Sequence, residues 1–295
     1  MLALMTRLTV TPQSPSFAAE ISGVDLERAL DPGVVAEIVA AMDRYAVCFY
    51  RPGRSMSDAG HIALGKALGP IDSNPVFKIA GRDKLRIPPE LNDVANIDEN
   101  NEVMKEASRV IMFRRGDRLW HCDMSFHWNR AVYSLLNSHE IPPAGGDTEF
   151  ADLRAAYDAL PAATKAEIED LVAVHSIWHS RASSGFPEPT EEELASRPPS
   201  RHRLVQTHPG SGRKTLYLAS HASHVEGRPL EEGRALIKEL IEFATQARFV
   251  YRHRWRLGDL VIWDNRCTMH RGTPYEDTRY RRDMRRATTR EQVPA

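Results

Sequence analysis

The chain has 295 residues and a formal net charge of -1, from 39 Lys plus Arg against 40 Asp plus Glu. That balance argues against nucleic acid or an anionic membrane as partner, and the length can bury a core without covalent staples. Three scattered cysteines, no apolar run near the roughly 20 residues of a membrane helix and no signal-like N-terminus lead to the expectation of a soluble, cytoplasmic protein.

In chain order, residues 7–26 read as two short strands around a glycine turn. Pro32 to Tyr45 has helical apolar spacing, and Ala46 to Tyr50 a buried strand pattern. Ser57 looks like the cap of a helix that ends at Gly69. Residues 71–118 read as a long polar loop, the kind that serves as a functional lid. The stretch Trp120-His121-Cys122-Asp123 follows, then a strand over Tyr133 to Asn137 and a turn at Gly145-Gly146. Asp152 to Leu171 reads as helix broken at Pro161, Val172 to Trp178 as strand, and Arg181 to Arg203 as a second polar loop. Leu204 to His208 and Thr215 to Ala219 flank Pro209-Gly210-Ser211-Gly212, a hairpin signal. Pro229 to Gln246 is an amphipathic helix. Strands then follow over Phe249 to Trp255, Leu260 to Trp263 and Asp283 to Thr289. Short strands at both ends without βαβ alternation predict one mainly β domain over residues 1–295, a sandwich or barrel with covering helices.

His121-x-Asp123 is the only His-x-Asp in the chain. On a strand, residues i and i+2 share a face, so imidazole and carboxylate would point together. With a second histidine they form a facial triad that leaves metal positions open, the set favoured by non-haem iron(II). His270 follows Trp263-Asp264-Asn265-Arg266, and Arg282-Asp283-Met284-Arg285-Arg286 lies beyond it. On a strand Arg282 and Arg286 share one face, and guanidinium forks suit carboxylates.

These segments resemble the taurine dioxygenase and 2,4-dichlorophenoxyacetate dioxygenase family, closest to its phenoxyacetate branch. The resemblance runs from Glu20-Ile21-Ser22-Gly23-Val24-Asp25-Leu26 to Arg286-Ala287-Thr288-Thr289. Its most specific parts are Leu119 to Phe126, Gly145 to Asp152, and Trp263-Asp264-Asn265-Arg266 with His270. It implies a double-stranded β-helix, or jelly roll, with iron(II) held by His121, Asp123 and His270, and 2-oxoglutarate and dioxygen as co-substrates. Thr148 and Arg282 match the residues that hold the far carboxylate of 2-oxoglutarate, with Arg281 as an off-by-one rival. Arg286 matches the arginine that holds the acid substrate. Lys78 matches a lysine at the substrate's polar end, and His221 opens a segment that lines the substrate pocket in relatives. Phe77, Phe126 and Trp128 are candidates for the ring end; His208 and His224 are expected to be structural. The implied reaction hydroxylates an aryloxyacetate next to its ether oxygen, giving a phenol and glyoxylate with release of succinate and CO2. The alternatives are the same chemistry on an alkylsulfonate, alkyl sulfate or other carboxylate, or a cupin-like metal-binding protein without turnover. The family's habit also implies a homo-oligomer.

Overall fold

The computed structural model describes residues 8–28, 30–73 and 85–292. The chain opens with strands β1 (Thr9–Pro12) and β2 (Ala19–Ser22), then helix α1 (Pro32–Tyr45), strand β3 (Val47–Tyr50) and helix α2 (Asp58–Leu68). Both helix starts are set by sequence. The Asp31 carboxylate accepts from Gly33 N–H at 2.7 Å ahead of Pro32, and Ser57 Oγ accepts from Gly60 N–H at 3.1 Å. Next come β4 (Asn92–Asp93), α3 (Arg109–Arg114), β5 (Ala131–Glu140), β6 (Thr148–Asp152), α4 (Leu153–Ala159), α5 (Ala162–Ile168) and β7 (Val172–His175). The chain continues through α6 (Ile177–Ser183), α7 (Glu191–Ser196), β8 (Ser200–Arg203), β9 (Val205–Thr207), β10 (Lys214–Leu216), β11 (Ala222–Val225) and α8 (Leu230–Ala244). Strands β12 (Val250–His253), β13 (Leu260–Asp264), β14 (Thr268–Gly272) and β15 (Asp283–Arg290) complete it.

Seven strands form one sheet in the order β1-β2-β3-β13-β5-β15-β4. The sheets β12-β6-β14 and β11-β7-β8 and the pair β9-β10 make up the opposing layer. The two layers form a jelly roll, as the sequence predicts.

Strand alternation explains the layering. Along β13, Leu260 and Ile262 pack with Cys48, Leu135 and Ala287 against α1 and α2. The intervening Val261 and Trp263 turn inward to Phe49, Leu136, Met284 and Phe150, the last contributed by the opposite layer. Ala151 and Met269 on the outer face of that layer meet α4, α5 and α8. Trp263 is 1% exposed at the centre of the inner cluster, and truncation of such a side chain costs about 3–5 kcal/mol. Inward positions at one end of the strands are polar instead: Ser134, Thr148, His270, Arg286 and Thr288.

The structure departs from the sequence reading in four places. His121 makes only an isolated bridge to His270, and residues 123–126 form a turn rather than a strand. Trp178 lies in α6, because the strand stops at His175 and a helical turn buries Ile177 and Arg181 together. The two polar loops contain α3, α7, β4 and β8, and β14 was not anticipated. Helices α3 and α7 have six residues each and are joined by Arg109, which donates to both Glu193 oxygens at 2.8 Å. Tertiary contact rather than propensity sustains helices this short.

Candidate metal and anion site

His270 sits on β14 opposite Phe150 of β6, and Thr148 sits opposite Gly272 two residues along. His121 joins them through paired backbone hydrogen bonds with His270, at 3.0 and 2.7 Å. Asp123 opens a turn over residues 123–126, with Met124 at φ +56°, and its carboxylate lies beside the two imidazoles. The expected juxtaposition therefore arises from one bridge and one tight turn, not from strand periodicity. Donor atoms of His121, Asp123 and His270 all lie within 4.8 Å of one another, and all three residues are buried.

Two imidazoles and a carboxylate at this spacing fit a divalent cation. His121 Nδ1–H donates to Leu119 O at 2.7 Å, which leaves Nε2 as its lone-pair nitrogen. Burial, reinforced by His121 and Arg286 nearby, drives the His270 pKa well below the ordinary range, so its imidazole is neutral, the state that binds metal. His270 Nε2 stands 3.8 Å from Asp123 Oδ2. Asp123 Oδ1 accepts from Arg286 Nη1 at 2.5 Å, and Oδ2 accepts from Ser134 Oγ at 2.7 Å.

A second cluster, His208, Asp264 and Cys267, has similar donor spacing but a different chemistry. Burial opposes ionisation of Asp264, yet hydrogen bonds from Arg266 and His208 hold its carboxyl well below the usual range. Burial likewise pushes the Cys267 thiol up, away from the thiolate a metal would need. A guanidinium already neutralises this carboxylate at 2.5 Å, so the cluster is a structural ion pair. His208 is part of it, as expected, and His224 bonds locally to Ser223.

Two cavities meet at His121, Asp117 and Arg286. The smaller, of about 130 Å³, is walled by Thr148, Trp263, His270, Gly272 and Arg282. Arg282 is half-buried there with its Nε buried and unpartnered, and among the described residues its guanidinium makes one contact, from Nη2 to Gly146 O at 3.4 Å. Burial lowers its pKa, so this is a desolvated cation facing a buried hydroxyl. An unpaired buried guanidinium is costly unless an anion completes it. Thr148 Oγ1 accepts from Trp255 Nε1 at 3.1 Å, which orients its own hydroxyl hydrogen elsewhere. Arg281, the rival, instead donates to Glu140 at 2.9 Å. Arg281 thus lies outside this cavity, whereas Arg282, the residue just before β15, lines it.

The larger cavity, of about 210 Å³, is lined by Ile87, Val110, Phe113, Phe126, Ile177, Arg181 and His221 among others. His221 Nδ1–H is accepted by Ser180 Oγ at 2.8 Å, since the Ser180 hydroxyl donates to Ile177 O. Its ring meets the Phe126 ring edge-on at 5.1 Å. Trp128, a ring-end candidate, is 73% exposed and lies on another surface, beside Arg130 and Arg201. It is excluded from the cavity because the chain has already left the turn at His127. Lys78 and Phe77 lie outside the described residues.

Sequence reasoning assigned no role to Ser134, Asn265 or Arg181. Asn265 lies inside a motif that was read only as a whole. Ser134 is the one polar position between Tyr133 and Leu136, a signal that was available. Arg181 packs over the Phe113 ring at 4.2 Å and donates to Asp117 at 2.9 Å.

The family model described as taurine catabolism dioxygenase TauD, TfdA family, matches residues 9–288. The alpha-ketoglutarate-dependent 2,4-dichlorophenoxyacetate dioxygenase of Cupriavidus pinatubonensis is 44% identical over 282 residues, covering 96% of this chain and 97% of that one. The (S)-phenoxypropionate/alpha-ketoglutarate-dioxygenase of Sphingobium herbicidovorans is 31% identical over 278 residues, with 92% and 91% covered. Among solved structures, that of AAD-2 in complex with Mn(II) and N-oxalylglycine has a TM-score of 0.93 at 43% identity, covering 98% of this chain and 99% of that one.

Proposed function

Since this chain belongs to the TauD/TfdA dioxygenase family, we propose that it hydroxylates a small aryloxyacetate such as 2,4-dichlorophenoxyacetate, with 2-oxoglutarate as co-substrate. It is a 2-oxoglutarate-dependent dioxygenase, and its relatives at 44% and 31% identity act on phenoxy acids. The observation that supports the substrate reading is the pair of cavities that share Arg286, one with an apolar and aromatic wall of Ile87, Val110, Phe113, Phe126 and Ile177 among charged residues, the other holding Arg282. His121, Asp123 and His270 hold the metal, which we assign as iron(II) from the donor set.

When bound, iron(II) with dioxygen couples decarboxylation of 2-oxoglutarate to succinate and CO2 with hydroxylation of a substrate C–H. Arg282 and Thr148 bind the far carboxylate of 2-oxoglutarate, and the fork of Arg282 gives that end both charge and direction. Arg286 stands between the cavities and holds the acid group of the substrate, so the adjacent methylene is presented at the metal. Phe126, Phe113 and Ile177 exclude water around the ring. Hydroxylation next to the ether oxygen gives a hemiacetal, which collapses to the phenol and glyoxylate. His221, neutral because burial drives its pKa well below the ordinary range, borders the ring without adding charge.

The test is succinate release by the purified protein with iron(II), ascorbate and 2-oxoglutarate, compared across aryloxyacetates, alkyl sulfates and alkylsulfonates. Release that depends on an aryloxyacetate, with stoichiometric phenol, is the expected result. Succinate formed faster with an alkyl sulfate would overturn the substrate assignment while leaving the enzyme class intact.

A further inference from the structure

The Asp123 carboxylate is the end of a directed hydrogen-bond chain. Trp263 Nε1–H and the Asp123 backbone N–H both donate to Asn265 Oδ1, each at 3.0 Å. Two donors on that oxygen fix the amide, so Asn265 Nδ2 must point the other way. There it donates to Ser134 Oγ at 2.9 Å and, more weakly, to Val132 O at 3.4 Å. A serine that accepts from an amide has one proton to give. Ser134 gives it to Asp123 Oδ2 at 2.7 Å. The shorter of the two amide contacts thus runs to Ser134, and the serine proton runs on to the carboxylate. Ser134 and Asn265 are fully buried, Trp263 is 1% exposed and Asp123 4%.

The topology explains the meeting. Trp263 of β13 stands directly across from Ser134 of β5, and Ser134 across from Thr288 of β15. Asn265, just past the end of β13, has its backbone N–H on Val132 O at 2.8 Å, so its side chain lies over Ser134. The turn that carries Asp123 has no ladder of its own; one backbone N–H of that turn is taken by Asn265.

We propose that Ser134 and Asn265 are positioning residues for the metal. Asn265 grips both the backbone of Asp123 and the serine that holds its side chain. Ser134 holds the carboxylate turned toward His270. This rests on the reading of His121, Asp123 and His270 as metal ligands and assigns how the ligand carried on a turn is held in place. Neighbours that orient a ligand typically change metal affinity about 10- to 100-fold when removed.

The experiment titrates Mn(II) into the full-length protein without co-substrate or substrate, and measures the melting midpoint of each metal-free protein. Wild type, Asp123→Ala, Ser134→Ala and Asn265→Asp are compared. Asn265→Asp keeps the acceptor for the two N–H groups but removes the donor to Ser134. The expected result is tight binding by wild type, none by Asp123→Ala, and dissociation constants raised about tenfold or more in both network variants. Ser134→Ala should melt close to wild type when metal-free. If its midpoint falls sharply, Asn265→Asp decides. Mn(II) binding by a folded network variant within twofold of wild type overturns the proposal while leaving the ligand assignment standing. Failure of wild type to bind Mn(II) overturns both.

Discussion

The two cavities that meet at His121 and Arg286 are built from different material. The smaller draws its critical walls from strand positions: Thr148 on β6, Trp263 on β13, His270 and Gly272 on β14, and Arg286 on β15. The larger draws most of its lining from the segments between strands, namely residues 85–91, α3, the turn after Asp123 and α6. Strand positions are held by ladder hydrogen bonds on both sides, whereas connecting segments tolerate change. The difference divides labour. Much of the smaller cavity is therefore mounted on the sheet, and much of the larger on what the sheet leaves free.

That division can be broken by experiment. Arg282→Ala should have the largest effect, raising the half-saturating 2-oxoglutarate concentration about 10- to 100-fold, the equivalent of charge-assisted hydrogen bonds worth about 1.5–3 kcal/mol. Half-saturation by the aryloxyacetate should change little, as succinate-release kinetics would read. Arg286→Lys keeps the charge but loses the fork, so its acid substrate should weaken about tenfold, with a smaller effect on 2-oxoglutarate. Equal effects on both would mean that the cavities do not divide the two anions. Phe126→Ala removes a 9%-exposed ring from the larger cavity only. Weakening of the aryloxyacetate by several fold, with 2-oxoglutarate unchanged, sharpens the comparison; the reverse pattern contradicts it. Trp128→Ala should do least, within twofold on both kinetic constants and within about 0.5 kcal/mol in urea unfolding, because its side chain is 73% exposed.

Much of the sheet side was legible in the sequence. Helices α1 and α8 carry long apolar periodicities, and α1 and α2 are announced by Asp31 and Ser57. Arg282 and Arg286 line the same cavity, but not by alternation along one strand: Arg282 lies just outside β15, and a bulge falls between Asp283 and Met284. The connecting side was not legible. Helices α3 and α7 exist through each other, by the Arg109–Glu193 pair, and nothing within six residues reports a partner 84 positions away. Trp128 was placed at the ring end on residue type alone, and type does not say which way a chain turns. The donors of His121 and Asp123 do lie close together, but not through strand periodicity: His121 makes an isolated bridge and Asp123 opens a turn.

The backbone pairing of His121 with His270 joins residues 149 positions apart. During synthesis at the ribosome, a chain extended only to β13 would carry two of the three residues of the set, His121 and Asp123, and none of the arginines of β15. It would offer a redox-active ion no enclosed place to settle. The three donors come together only once β14 has been made, so the complete set depends on nearly the whole length of the chain.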